Sequence, residues 1–216
     1  VEVALPGGAN TDDRECVETA EQRWGDALAG TCRIRLPDER MQFLYDAAIR
    51  TMILHSPGDV YPGPYTYRRF WFRDASVIIH AMLMAGMFDR CERALDRFPG
   101  RQTTFGYFHS QEGEWDSNGE ALWVMNRFEK LSGRRKEDWN SPVLSGARWI
   151  ARKRLATGRH ELYGGLMPPG FSAEHLGTND YYYWDDFWSV AGLRAASELL
   201  ARAGMRTEAR ECLREA

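Results

Sequence analysis

"WFRDASVIIHAMLMAG" (residues 71–86) is the stretch on which the fold turns. From Asp74 to Gly86 it is almost wholly apolar, through Val77, Ile78, Ile79, Ala81, Met82, Leu83, Met84 and Ala85. A helix with no polar stripe is expected to be buried on all sides. Its doorstep nevertheless carries an Arg-Asp pair beside a tryptophan. The next segment, 88–98, differs in kind. It sets Phe88, Cys91, Leu95 and Phe98 on one stripe and charges elsewhere, which predicts an amphipathic helix with one face exposed.

This order, buried helix then exposed helix, recurs twice. Residues 118–131 hold Leu122, Trp123, Val124, Met125 and Phe128 and end at Gly133; 141–157 follow as a charged helix with Val143, Ala147 and Ile150 inward. After a long loop (157–180), residues 186–203 are again mostly apolar and end at Gly204, and 206–214 are charged, with Cys212 and Leu213. Strand signals are nearly absent. Three irregular helical hairpins, each hiding its first helix, predict an all-α, two-layer α/α toroid or solenoid. An irregular helical bundle is the competing architecture. Upstream, 11–30 predicts a helix ending on glycine. Residues 36–56 predict another, with Met41, Leu44, Ala48 and Ile49 on one face and Pro57-Gly58 as its stop. We divide the chain into an N-terminal tail or linker with a weak helix (1–35) and a toroid domain (36–216).

Composition narrows the function classes. A chain of 216 residues that is 44% hydrophobic and 27% charged is globular, and its net charge of −3 carries no nucleic-acid or anionic-membrane footprint. There is no run of 18 apolar residues, and the start of the chain lacks the basic and apolar regions of a signal peptide, so no membrane partner is expected. Cys16, Cys32, Cys91 and Cys212 fit neither a zinc site nor a CxxC site. They read as reduced thiols of a cytoplasmic protein, with a pairing of Cys16 and Cys32 left open. The five histidines (55, 80, 109, 160, 175) show no metal spacing, so no metal or cofactor is expected. "DDFW" is not the DDxxD pattern of magnesium-dependent helical cyclases, and the Gly-Gly pairs lack a phosphate-loop pattern.

The three apolar helices share a second feature. Each begins at acidic residues among aromatics: "WFRDAS" (71–76), "EWDSNGEALW" (114–123) and "YYYWDDFW" (181–188). Parallel inner helices of a toroid open their N-termini at one end. Arg73, Asp74, Glu114, Asp116, Asp185 and Asp186 would then meet in one crater. Each carboxylate can be read singly as a helix cap, and Ser117 with Glu120 fits an S-x-x-E capping box. Caps, however, need no tryptophan neighbours. Aromatic faces beside Arg and carboxylates suit a sugar, whose ring stacks while its hydroxyls take charged partners. Cleaving a glycosidic bond takes two carboxyls, one as acid and one as base or nucleophile. For Trp123, inside a helix, core packing is the preferred reading.

These residues carry a resemblance. "FWFRDASVIIHAMLMAGM" resembles the Trp-x-Arg-Asp segment of the glucoamylase family. "GEWDSNGEALW" resembles the acid segment of glucoamylases, trehalases and the glucosidase half of glycogen-debranching enzymes, and "YYYWDDFWSVAGL" is similar to a trehalase segment. Residues 36–204 resemble bacterial proteins of the amylo-α-1,6-glucosidase type, with an (α/α)6 barrel. The resemblance implies an inverting hydrolase of α-linked glucosides at glucan ends or branch points. Arg73 and Asp74 would hold the terminal glucose. Asp116 would be the general acid, with Glu114 its rival. Trp71, Tyr67, Trp115 and Trp184 would shape the pocket, and Asp185 and Asp186 would bind hydroxyls or orient the loop. A helix N-terminus opposes the raised pKa an acid needs, so burial and neighbouring carboxylates would have to outweigh it.

The likeness is partial. A complete barrel has twelve helices, against about eight read here, and the family's base lies toward the barrel's C-terminal end, where this chain offers no candidate. The expectation is therefore an incomplete barrel with its base outside the chain, inactive as it stands, or else a non-catalytic carbohydrate-binding or scaffold domain. Its unburied inner faces favour self-association.

Overall fold

A computed structural model describes residues 13–158, 162–171 and 178–216, with side chains from Val17 onward. Its eight α-helices are α1 (Asp13–Leu28), α2 (Glu39–Leu54), α3 (Phe72–Met84), α4 (Phe88–Leu95), α5 (Ser117–Ser132), α6 (Asn140–Lys153), α7 (Tyr183–Arg202) and α8 (Arg206–Glu215). Short 3-10 turns lie at Pro99–Arg101 and Glu137–Trp139. Among the described residues there is no strand, only the isolated bridges Gln102–Phe108 and Gly170–Asp180.

Local chemistry sets the ends. Asp38 caps α2 by accepting from the Met41 amide at 2.8 Å. Gly133 ends α5 at φ 70°, a left-handed turn that glycine adopts without strain. Helix α3 begins two residues before the predicted start, because the Ala75 amide already reaches the Trp71 carbonyl at 3.0 Å. Arg73 therefore sits inside the first turn.

The two layers are those the hairpin pattern predicts. Helix α5 packs between α3 and α7, forming the inner layer. Helix α4 lies on α3 and α5, α6 on α5 and α7, and α8 on α7 and α6. Beneath the start of α3, Phe72 is fully buried and meets Phe70 and Phe98 edge to face, with centroids 4.9 Å away in both cases; Phe108 follows at 5.5 Å. Burial pushes the Cys91 thiol up to about 12 and the Cys212 thiol up to about 11, making both inert core residues. Cys32 is exposed; the side chain of Cys16 lies outside the described residues.

Two expectations are corrected. Helix α3 is not buried on all sides: Val77, Ala81 and Met84, spaced by four and three residues, form an exposed stripe. An inner helix has a concave side as well as a core side, and composition alone does not separate them. In α2 the buried positions are Ile49 and Ile53, whereas Met41, Leu44 and Ala48 are exposed. Burial follows the end of α2 that Arg90 of α4 ties down through the Ile53 and Ser56 carbonyls at 3.4 and 2.8 Å.

The inner layer closes at a glycine crossing. A Cβ on Gly119 of α5 would stand 2.1 Å from the Trp188 carbonyl oxygen, and one on Gly192 of α7 would stand 2.5 Å from the Gly119 Cα. Backbone cannot give way as a flexible side chain does, so the cost sits at the upper end of overpacking. Gly119→Ala is expected to cost about 3 kcal/mol and lower the melting temperature by roughly 6–12 °C. Gly25→Ala, on α1 with nothing within 4 Å, should instead be neutral or slightly stabilising. Thermal unfolding followed by circular dichroism reads both; a Gly119→Ala protein melting with the parent would contradict the close crossing.

Candidate functional site

The site grows from three helix starts that do not use their carboxylates as caps. The N-cap positions are Trp71 for α3, Asp116 for α5 and Tyr182 for α7, and none makes a side-chain capping bond. Asp74 and Asp185 fall in the first turns instead. The S-x-x-E box does not form. Ser117 Oγ donates to the Phe108 and Glu114 carbonyls at 2.7 and 3.1 Å, and the Glu120 amide donates to the Asp116 carbonyl at 3.0 Å. The helix thus starts one residue earlier than the box needs, and Glu120 is buried within it.

Arg73 organises these carboxyls. Its Nη2 donates to Glu114 Oε1 at 3.0 Å and its Nε to Asp116 Oδ2 at 3.2 Å. Trp184 Nε1, from α7, donates to the same Asp116 oxygen at 2.7 Å. One oxygen therefore joins the starts of all three inner helices and fixes their N-termini side by side. Glu114 and Asp116 are buried, while the Arg73 side chain keeps 21% of its surface open. Burial works against the guanidinium's charge, but Asp116 and Glu114 outweigh it and hold Arg73 charged.

The neighbouring carboxyls are pushed the other way. Burial, then the charges of Asp116 and Asp186, raise Asp185 to about 8; Arg73 and the Asp116 backbone pull back only in part. Asp185 Oδ2 is buried and meets no hydrogen-bond partner among the described residues. Burial also raises Glu114, against the pull of Arg73, and raises Glu120 well above the usual range, helped by Asp116. Burial raises Asp186 as well, though its Oδ1 accepts from the Met167 amide at 2.8 Å, tying α7 to the 162–171 loop.

Buried polar side chains hold the segment that carries Glu114. Tyr107 Oη donates to the Gln111 and Glu114 carbonyls at 2.8 and 3.1 Å. Asn118 accepts from the Phe108 amide at 2.8 Å and donates to the Gly106 and Gly146 carbonyls, both at 2.9 Å. Sequence reasoning passed over Tyr107, Asn118 and Glu120 as site residues. For Glu120 a signal existed, since it stands four residues after Asp116 and so shares its helix face.

The aromatics divide. Trp184 is about half exposed and Tyr67 more so. Trp71 is half-buried, 6.3 Å from the Tyr67 ring, with its Nε1 donating to Gln111 at 3.4 Å. Trp115 lies elsewhere. It is buried against Tyr107 and Trp149, covered by Lys153 Nζ at 3.6 Å from its ring, with Nε1 donating to the Pro169 carbonyl at 3.3 Å. Trp123 packs between His80 and Trp188, at 4.9 and 5.4 Å. The structure thus brings Arg73, Glu114, Asp116, Trp184 and Asp185 together; Asp74 is half-buried one residue along from Arg73. Among the described residues no group of three His, Cys, Asp or Glu side chains is arranged to hold a metal ion, and His160 and His175 lie outside them. No described helix is long and apolar enough to cross a membrane.

The arrangement can do two things. An exposed guanidinium edge and an ordered carboxylate can bind a polyhydroxylated ligand. A carboxyl that keeps its proton to about pH 8 has the protonation state that a general acid requires.

No family model and no curated protein matches the sequence. Among solved structures, the chain is similar to a bacterial glucoamylase crystallised in complex with acarbose, at a TM-score of 0.66 and 13% identity. The overlay covers 95% of this chain and 31% of that one, so the chain spans about a third of the glucoamylase's length. At this identity the likeness speaks for the fold, which is that of part of a glucoamylase-like α/α barrel.

Proposed function

We propose that this chain is a glycoside hydrolase-like domain that binds α-linked glucosides at the inner-helix N-termini, with Asp185 as the proton donor. The observation that carries the reading is the charged Arg73–Glu114–Asp116 network beside a buried Asp185 kept protonated to about 8. The glucoamylase fold and the ligand of that neighbour support the substrate class. Arg73 and Asp116 seat hydroxyls of the terminal sugar, with Asp74 beside them. Trp71, Tyr67 and Trp184 offer aromatic faces.

The donor is reassigned from Asp116 on physical grounds. Asp116 accepts from Arg73 and Trp184 on one oxygen, the posture of an acceptor. Glu114 is pinned by Arg73. Asp185 has the proton, the burial and an uncommitted oxygen. In an inverting mechanism the base stands roughly 6.5–9.5 Å from the acid, with water between. In this reading that base is supplied from outside these 216 residues. The alternative, a binding domain without turnover, keeps the same sugar seat and needs no donor.

Titration with acarbose by calorimetry tests the seat. Trp184→Phe, which keeps a ring but removes the donor to Asp116, and Arg73→Lys, which removes the fork, should each weaken binding about tenfold or more. No binding by the folded parent chain would refute the proposal. In a form competent to release glucose, Asp185→Asn should cut release by roughly 10²–10⁴-fold with binding kept, a larger loss than Asp116→Asn gives. Unimpaired release would remove Asp185 from the donor role.

Stability against pH supplies a test without turnover. The folded chain holds a proton on Asp185 between its ordinary 3.8 and about 8, where the unfolded chain has released it. This contribution is complete below the lower value and is lost as pH rises through the window, at a slope of up to about 1.4 kcal/mol per unit. Glu114 and Glu120 add slope of the same sign. Urea unfolding across that range should show stability falling with pH, and Asp185→Asn should flatten the fall; an unchanged slope would contradict the assignment.

A further inference from the structure

Glu120 is the buried group the mechanism leaves unused. It is 1% exposed, in the first turn of α5, and neither carboxyl oxygen meets a donor among the described residues. A buried carboxylate so placed would pay a large desolvation penalty with no compensating bond. The carboxyl whose charge acts on it most strongly is Asp116, one turn back on the same helix and so on the same face. Two carboxylates are both acceptors, so a hydrogen bond between them requires a proton on one. Asp116 already accepts from Arg73 and Trp184, whereas neither Glu120 oxygen has a partner among the described residues. The proton therefore belongs to Glu120. The charged groups facing it are Asp116 at the start of its own helix, Glu114 on the preceding segment and Arg73 on α3; Asp185 on α7 faces Asp116 from the other side.

We propose that Glu120 is a positioning residue, a permanently neutral acid that donates its carboxyl hydrogen to Asp116 and completes, with Arg73 and Trp184, a three-donor seat aiming that carboxylate at the ligand. The inference rests on the sugar-site reading for its ligand, but not for its proton. The seat explains why one turn of helix carries a glutamate at a fully buried position where an apolar residue would pack at lower cost.

Carbon-13 labelling of glutamate carboxyls, read by NMR, tests the proton directly. One glutamate carboxyl should remain protonated at neutral pH and its signal should vanish in Glu120→Gln. If every glutamate carboxyl is ionised at neutral pH, or the protonated signal survives in Glu120→Gln, the proposal is overturned. Acarbose titration tests the positioning. Glu120→Met, which fills the space without a donor, should bind about tenfold more weakly than the parent, and Glu120→Gln, whose amide can donate in the acid's place, should recover most of the loss. Equal binding by parent and a folded Glu120→Met would overturn the positioning role. Absence of acarbose binding in the parent would fall on the proposed function instead, leaving the NMR result to decide the protonation of Glu120.

Discussion

One carboxylate oxygen, Asp116 Oδ2, ties the site to the fold. It receives Arg73 from α3 and Trp184 from α7 while belonging to the start of α5. The three inner helices are thus joined at their N-termini by a charge-assisted bond and an indole bond, and they are joined along their lengths by packing, closest at Gly119 and Gly192. Removing one partner of a buried ion pair typically costs about 3–5 kcal/mol because the other charge is stranded. The residues proposed to seat a ligand therefore also hold the helix starts together.

The electrostatics follow from a simple imbalance. Glu114, Asp116, Glu120 and Asp185 are all buried, and Arg73 is the cation that faces them. Four buried negative charges against one positive charge cannot be sustained in low dielectric, so some of the carboxyls must keep protons. Burial pushes Glu114 upward against the pull of Arg73; Glu120 and Asp185, which Arg73 does not bond, are pushed upward by burial and by Asp116. Carboxyls of opposite protonation state side by side are what acid catalysis requires. Here the guanidinium bonds Glu114 and Asp116 and leaves Glu120 and Asp185 without a cation in contact among the described residues.

Much of this was legible in the residues. The alternation of apolar and amphipathic segments foretold the two layers, because a helix between two neighbours needs a wider apolar face than one on the outside. The convergence of "WFRDAS", "EWDSNGEALW" and "YYYWDDFW" followed once the inner helices were taken as parallel. Three things were not legible. A shift of one residue in the start of α5 turned Glu120 from a cap into a buried acid, and boundaries are the weakest part of any pattern reading. The burial of Trp115 depends on Tyr107, Trp149 and Lys153, distant in sequence. The exposed stripe Val77–Ala81–Met84 looks like core because hydropathy does not distinguish a buried apolar face from an exposed one.

A crystal structure of the chain grown with acarbose tests the central claim most directly. The account predicts a sugar ring at the inner-helix N-termini, against Trp184 or Trp71, with a hydroxyl in hydrogen-bond reach of Arg73 or Asp116. A ligand bound elsewhere, with the Arg73–Asp116–Trp184 network empty, would contradict it.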